Sequence, residues 1–273
     1  MLNTIFKDQL PLGIAQAVAT IILALAVMVV ASQQKIHLEK EIVVALTRGI
    51  VQVIIAGLVL TLLLKSAAWL AIPTILAMMV VASIISARRA KNIPGAFLVS
   101  LYSISFGTGL VILLMTLAGV IDTAISTMIP VSSMLIAQAM NSSAQALERF
   151  QSDVRSHVGL IEAGLALGAE PNTMVSPYVE KAVYSSLIPR IDALSSLGIV
   201  WIPGVMAGMI LAGIDPIYAA VYQFSVIAMI FAASGLTSVV CSLLVRSHAF
   251  TPAAQLILRP GQEQAKAKTA VVK

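Results

Sequence analysis

Charge is scarce in this sequence. Only 11% of its 273 residues are Asp, Glu, Lys or Arg, where a soluble globular domain carries about 25%. So little charge excludes an ordinary soluble enzyme, and the mean hydropathy of +0.98 excludes a disordered chain. Cysteine is nearly absent too: Cys241 stands alone, which excludes an internal disulfide framework. No glycine is followed by lysine, so the phosphate-cradling P-loop, G-x-x-x-x-G-K-[ST], is missing. No serine stands in G-x-S-x-G, and His37, His157 and His248 fall in three separate segments without metal-ligand spacing. Hydrolase chemistry and a metal cluster therefore have no residues to rest on.

What is present is long apolar runs. Residues from the AVILMFWYC set make up 59% of the chain, and 26 consecutive uncharged residues separate Asp8 from Lys35. Further charge-free gaps run 49–64, 66–87, 92–121, 123–147, 193–214 and 216–245. A helix needs about 20 mostly apolar residues to cross a bilayer core. Extending the second gap back to Ile42, past Arg48, gives seven expected spans near 10–31, 42–64, 67–86, 97–120, 128–147, 193–213 and 219–245. The predicted fold class is thus all-α, a polytopic membrane protein with about seven transmembrane helices; barrel strands would alternate apolar with polar residues. The first run holds Ala24-Leu25-Ala26, a sequence of cleavage-site form, but it continues to Ala31, too long for a signal-peptide core, and is read as a helix.

Lys and Arg mark the cytoplasmic side of such a protein. With seven spans, fourteen of the seventeen basic residues fall on one side, leaving Lys7 and Lys65 opposite and Arg48 inside a span. The N-terminus is then expected outside and the C-terminus in the cytoplasm. Residues 1–246 read as a transmembrane domain with a cytoplasmic segment at 148–192, and 247–273 as a flexible basic tail beside lipid headgroups.

The carboxylates all lie outside the predicted spans or at their ends. Ion-driven carriers place an ionisable relay in the membrane, and the only ionisable residue there, Arg48, cannot cycle its proton. Energy is therefore expected from another subunit. Arg48 and Gln52 share one face of the second span. Arg48 either snorkels to headgroups or forms a polar cavity wall with Gln52. Gln138 and Asn141 sit in a small-residue fifth span, fitted either for close packing or for a polar path. In the predicted sixth span, Pro203 can open the helix, Gly204 and Gly208 form a GxxxG able to seat another helix, and Met206 and Met209 offer either thioethers to a soft metal or flexible packing.

Within 148–192, Gly168 permits a tight turn and Pro171 can begin the next helix, giving a helix-turn-helix elbow. By spacing alone this is equally a plain loop. The run Glu162-Ala163-Gly164-x-x-x-Gly168-Ala169 resembles the E-A-A-x-x-x-G element with which permease subunits of ATP-binding-cassette importers engage their ATPases, although Leu187-Ile188-Pro189 comes about eight residues too late for the rest of that motif. A wider resemblance spans 10–246, carried by Leu38-Glu39-Lys40-Glu41-Ile42, Arg48-Gly49-Ile50-Val51-Gln52, the stretch Pro203 to Pro216, and Tyr222-Gln223. These are similar to the FetB family of iron-export permeases, which includes plant aluminium-tolerance membrane subunits. Where relatives tend to have Gly-Met and Gly-Asn in the fifth span, this chain has Ser133-Met134 and Ala137-Gln138.

The resemblance implies a plasma-membrane permease, itself not an enzyme, that exports a metal ion, iron by family. It would bind no cofactor of its own and would take energy from ATP through a separate ATP-binding subunit, working as a homodimer in lipid with no nucleic-acid partner. The candidate pathway residues are Arg48, Gln52, Gln138, Asn141, Met206, Met209 and Gln223; Glu162, Ala163, Gly164, Gly168 and Ala169 are the candidate coupling elbow; Pro203, Gly204 and Gly208 are candidate packing residues. The alternative is an ATP-independent carrier or channel for a small solute.

Overall fold

The computed structural model of the chain describes residues 9–33, 39–65, 68–90, 93–251 and 255–258. They form two compact units, residues 1–66 and 67–273. The first holds α1 (Gln9–Gln33) and α2 (Glu39–Leu64). The apolar side chains of α2 are exposed almost throughout, Val53, Leu58 and Leu62 among them, as expected of a helix facing lipid acyl chains rather than a protein core.

The second unit is a helical bundle. After a short 3-10 turn at Ala68–Leu70 come α3 (Ala71–Arg89), α4 (Ala96–Leu117), α5 (Ile125–Ser156), α6 (Val158–Ala166), α7 (Pro171–Ser196), α8 (Gly204–Leu211) and α9 (Pro216–His248). By length and composition α3, α4 and α9, with Ile42–Leu64 of α2, are apolar enough to cross a membrane. The chain is an all-helical, polytopic membrane protein.

Two apolar clusters fix the direction of each bundle helix. One gathers Ala90, Val99, Phe150, Val154, Ile161, Val175, Val179 and Val245. The other gathers Ile75, Met79, Ile112, Leu135, Val226 and Ile230, with Leu194 and Leu197 packed on it. Helices α3, α5 and α9 therefore run from the second cluster to the first, while α4 and α7 return. The longest helix, α9, is well delimited by its sequence. Asp215 Oδ1 accepts from the N–H groups of Ile217 and Tyr218 at 2.9 and 3.0 Å, Pro216 occupies the first turn, and Arg246 and His248 face the negative C-terminal end.

Lipid gives apolar helices little reason to leave it for one another, so helix association relies on close approach and interhelical hydrogen bonds. The bundle interior follows this rule. Ser86 donates to Ser143 at 3.0 Å, Ser100 to Ser86 at 3.3 Å and Ser186 to Ser238 at 2.9 Å, while Ser143 and Cys241 meet at 3.4 Å. These bonds tie α3, α4, α5, α7 and α9 together through side chains too small to hold the backbones apart. The tightest approach is at Gly107 of α4, where a Cβ would collide with the backbone and hydroxyl of Thr237 on α9.

Two expectations are corrected. Residues 193–213 do not form a membrane span: α7 ends at Ser196, Gly198 turns the chain at φ +77°, and α8 has only eight residues, about 12 Å of helix. The sixth long helix is instead α7, 26 residues running back along the bundle. Its Glu180, Lys181, Arg190 and Asp192 filled the stretch that charge counting assigned to a cytoplasmic loop. The tail from 247 is docked in its first part, because Leu256 and Leu258 are buried in the first cluster and Ile257 donates to the Ala249 carbonyl at 2.9 Å. Residues 259–273, with the Gln262–Lys268 run, lie outside the described residues.

The Gly107 contact is directly testable. Gly107→Ala should cost about 1–3 kcal/mol, the usual penalty for overpacking a close contact, and lower the thermal unfolding midpoint of the detergent-purified protein. Gly109→Ala is the control, since its Cβ would meet only Met79 Cε at 4.0 Å.

Candidate functional site

The break after α7 opens a cavity at the second-cluster end of the bundle. The turn at 196–201, closed by Trp201 N–H donating to the Ser196 carbonyl at 3.3 Å, leads to Pro203 and into α8. A cavity of about 410 Å³ opens between α5, α7, the start of α8 and α9, lined in part by Gln138, Arg190, Trp201, Gly204 and Gln223.

Gln223 organises this cavity. It is 1% exposed, and its Oε1 accepts from the Met206 N–H at 3.2 Å. The first turn of a helix leaves N–H groups without internal partners, and Pro203 at the N-cap offers no side-chain bond. A side chain from α9 therefore caps α8. The bond also fixes the amide orientation, leaving Gln223 Nε2 without a partner. Gln138 Oε1 and Arg190 Nε are likewise buried and unpartnered. Three unmet polar atoms around one cavity are unusual in a native interior.

The other end of α8 closes by its own backbone. Gly213, at φ +87°, donates to the Ile210 carbonyl, and Ile214 donates to Met209, both at 3.0 Å. Met209 lines a neighbouring cavity with Tyr218 and Tyr222, and Met134 and Val205 border both spaces. Met206 contributes its backbone N–H to the Gln223 bond. Asn141 is exposed on α5, about one turn beyond Gln138. Still further along the helix, Gln145, Arg149 and Ser152 line a groove of about 420 Å³ with Ser185 and Pro189 of α7. Gln138, Asn141, Gln145, Arg149 and Ser152 follow helical spacing and make one polar stripe. Arg48 and Gln52 lie on α2 in the first unit, both exposed.

The candidate packing pair has no close neighbour among the described residues. A Cβ at Gly204 or Gly208 would meet nothing within 4 Å, so neither seats a neighbouring helix within the chain. Gly204 instead lines the cavity. Arg190 was missed from the sequence because its helix was read as a loop. The one local signal was Pro189-Arg190 beside a long apolar run.

The elbow is formed as expected. Helix α6 ends in a turn in which Gly168, at φ +89°, donates to Leu165 and Ala169 donates to Gly164, both at 3.0 Å. Pro171 then starts α7. Gly164 lies against Met174, whose flexible thioether end would have to move aside for a Cβ there, 2.6 Å from Sδ. Beside the elbow, Asp153 is 6% exposed and accepts from Arg149 Nε at 3.0 Å, with Lys181 Nζ at 3.8 Å. His157 stacks on Tyr178 at 5.0 Å between ring centres. The elbow is thus fastened to both α5 and α7. Glu162 lies on α6, half-buried, and Ala163 is exposed.

A family model covers residues 14–250. The chain belongs to UPF0014, described as an uncharacterised protein family. UPF0014 relatives include "Protein ALUMINUM SENSITIVE 3" of Arabidopsis thaliana, 29% identical over 89% of this chain and 90% of the relative. "UPF0014 membrane protein STAR2" of Oryza sativa is 31% identical over 87% and 84%. "Probable iron export permease protein FetB" of Escherichia coli is 29% identical over 89% and 93%. No solved structure is significantly similar to the chain. The resemblance to the FetB family read from the sequence therefore holds over most of the protein.

Replacing Gln223 by Leu should leave the Met206 N–H without its acceptor, at a cost of about 1–3 kcal/mol if that group stays dry. Hydrogen exchange followed by mass spectrometry should show faster exchange in peptides covering 204–211, with peptides of α4 unchanged.

Proposed function

We propose that the chain is the membrane-spanning permease subunit of an ATP-binding-cassette transporter that exports a metal ion, with iron as the leading cargo. The observation that carries this reading is the elbow of α6, its glycine turn and the start of α7. It presents Leu160 and Leu167, 63% and 89% exposed, beside Ala163 on one face of α6. Such an apolar stripe on a structured elbow suits a docking groove in a soluble partner. The chain lacks a P-loop, so the partner would supply ATP hydrolysis. The iron assignment draws on the relative named as an iron export permease.

In this reading the elbow and C-terminus are cytoplasmic and the N-terminus is outside, in the plasma membrane. Within the second unit, Arg88, Arg89, Arg155 and Arg246 lie at the elbow end of the bundle, beside the first cluster. Two copies would work together, the polar stripe of α5 forming half of a shared path. Nucleotide-driven movement at Glu162–Glu170 would pass along α7 to the cavity.

The test is purification of the tagged protein from its native membrane in mild detergent, with ATPase assays with and without ferrous iron. A soluble ATPase should be recovered in about equal amount, and iron should stimulate it. Gly168→Arg, placing a bulky side chain at a positive φ on the exposed turn, should remove the ATPase while leaving membrane levels unchanged. Recovery of the permease alone, without ATP hydrolysis, would favour an ATP-independent carrier or channel.

A further inference from the structure

The cavity at the break between α7 and α8 carries information about the charge of the cargo. Its donors are more developed than its acceptors. Arg190 keeps its charge under any physiological condition. It makes no ion pair among the described residues, and its Nε has no hydrogen-bond partner. Gln223 adds a buried Nε2 without an acceptor. Gly204 and Val205 bring the first turn of α8 to the cavity wall, the positive end of the helix, where N–H groups are open.

Against these stand few acceptors. No carboxylate lines the cavity, and among the described residues no group of three or more His, Cys, Asp or Glu is placed to hold a metal ion. Among the described residues, Gln138 Oε1 is the buried side-chain acceptor on the wall that lacks a partner. A bare divalent cation would give up its water shell for a single amide oxygen beside a fixed positive charge, an arrangement contrary to how such cations are bound. A carboxylate or phosphate oxygen would satisfy Arg190, Gln223 Nε2 and the helix end together.

We propose that this cavity is an oxyanion site, with Arg190 as counter-charge, Gln223 as buried donor and the α8 N-terminus as the third element. Its ligand is a carboxylate or phosphate group. An exported metal then enters already complexed by such oxygens, the complex carrying the negative charge. This deepens the export reading by naming the charge of the cargo. Binding to the permease needs no ATPase, so either idea can fail alone: loss of the ATPase partner would leave the site standing, and loss of anion binding would leave the partner standing.

The experiment uses the full chain in lipid nanodiscs and equilibrium dialysis with radiolabelled citrate, inorganic phosphate, ferrous chloride alone and ferric citrate. Trp201 lines the cavity, and the chain has two tryptophans, so a Trp69→Phe background makes its emission report on this site alone. Citrate or phosphate should bind saturably and perturb Trp201; which of them does so separates a carboxylate from a phosphate ligand. Arg190→Gln should weaken that binding at least tenfold, and Arg190→Lys should recover part of it. Arg190→Lys and the wild-type titrations decide the matter should Arg190→Gln not fold. The proposal is overturned if neither anion binds the wild type, if Arg190→Gln binds as the wild type does, or if ferrous chloride alone occupies the Trp201 site.

Discussion

Close backbone approach between α4 and α9 is the constraint on which the bundle depends. Gly107 lies against Thr237 with no room for a methyl group, and from this crossing the serine bonds extend to α3, α5 and α7. Each bond is worth only about 1 kcal/mol. Their value lies in register: each joins defined atoms of two helices, whereas a surface of Leu and Val could slide. With register fixed, Gln145, Arg149 and Ser152 of the α5 stripe line the same groove as Pro189 and Ser185 of α7.

The cavity arises from the same arrangement, interrupted. Helix α7 stops at Ser196 and α8 ends at Leu211, so the second-cluster end of the bundle is closed partly by a short helix and a turn. Irregular backbone at membrane depth is tolerated where it lines a cavity or is buried in protein. Here Gln223 supplies a bond that the helix start cannot supply for itself. The elbow at the opposite end is irregular as well, but its turn satisfies its own backbone through Gly164, Leu165, Gly168 and Ala169.

Sequence reasoning recovered the all-helical membrane class because long uncharged runs have few physical explanations. It recovered the elbow because a glycine at a helix end followed by proline has specific backbone consequences. Gln138 and Gln223 could be picked out because an amide stands out in an apolar run, and both line the cavity. The sixth helix was misplaced for a corresponding reason. Charge gaps detect helices surrounded by lipid, and α7 instead packs among α5, α6 and α9, so it can carry Glu180, Lys181, Arg190 and Asp192. Arg190 was lost with it. The glycines at 204 and 208 have the spacing of a packing motif, yet among the described residues no other part of the chain comes within 4 Å of a Cβ placed at either.

The Gln223 cap has a consequence for motion. Met206 and Gln223 make the side-chain bond at the start of α8, and such a bond contributes about 1 kcal/mol net. That corresponds to a factor of about five in the ratio of latched to released α8, with RT near 0.6 kcal/mol. A ligand oxygen accepting from Gln223 Nε2 would bind the same amide whose Oε1 holds Met206, so that ligand and cap share one side chain. The wall of the cavity is therefore held by an interaction comparable in strength to the ligand contacts it borders, and occupancy and wall position become linked quantities.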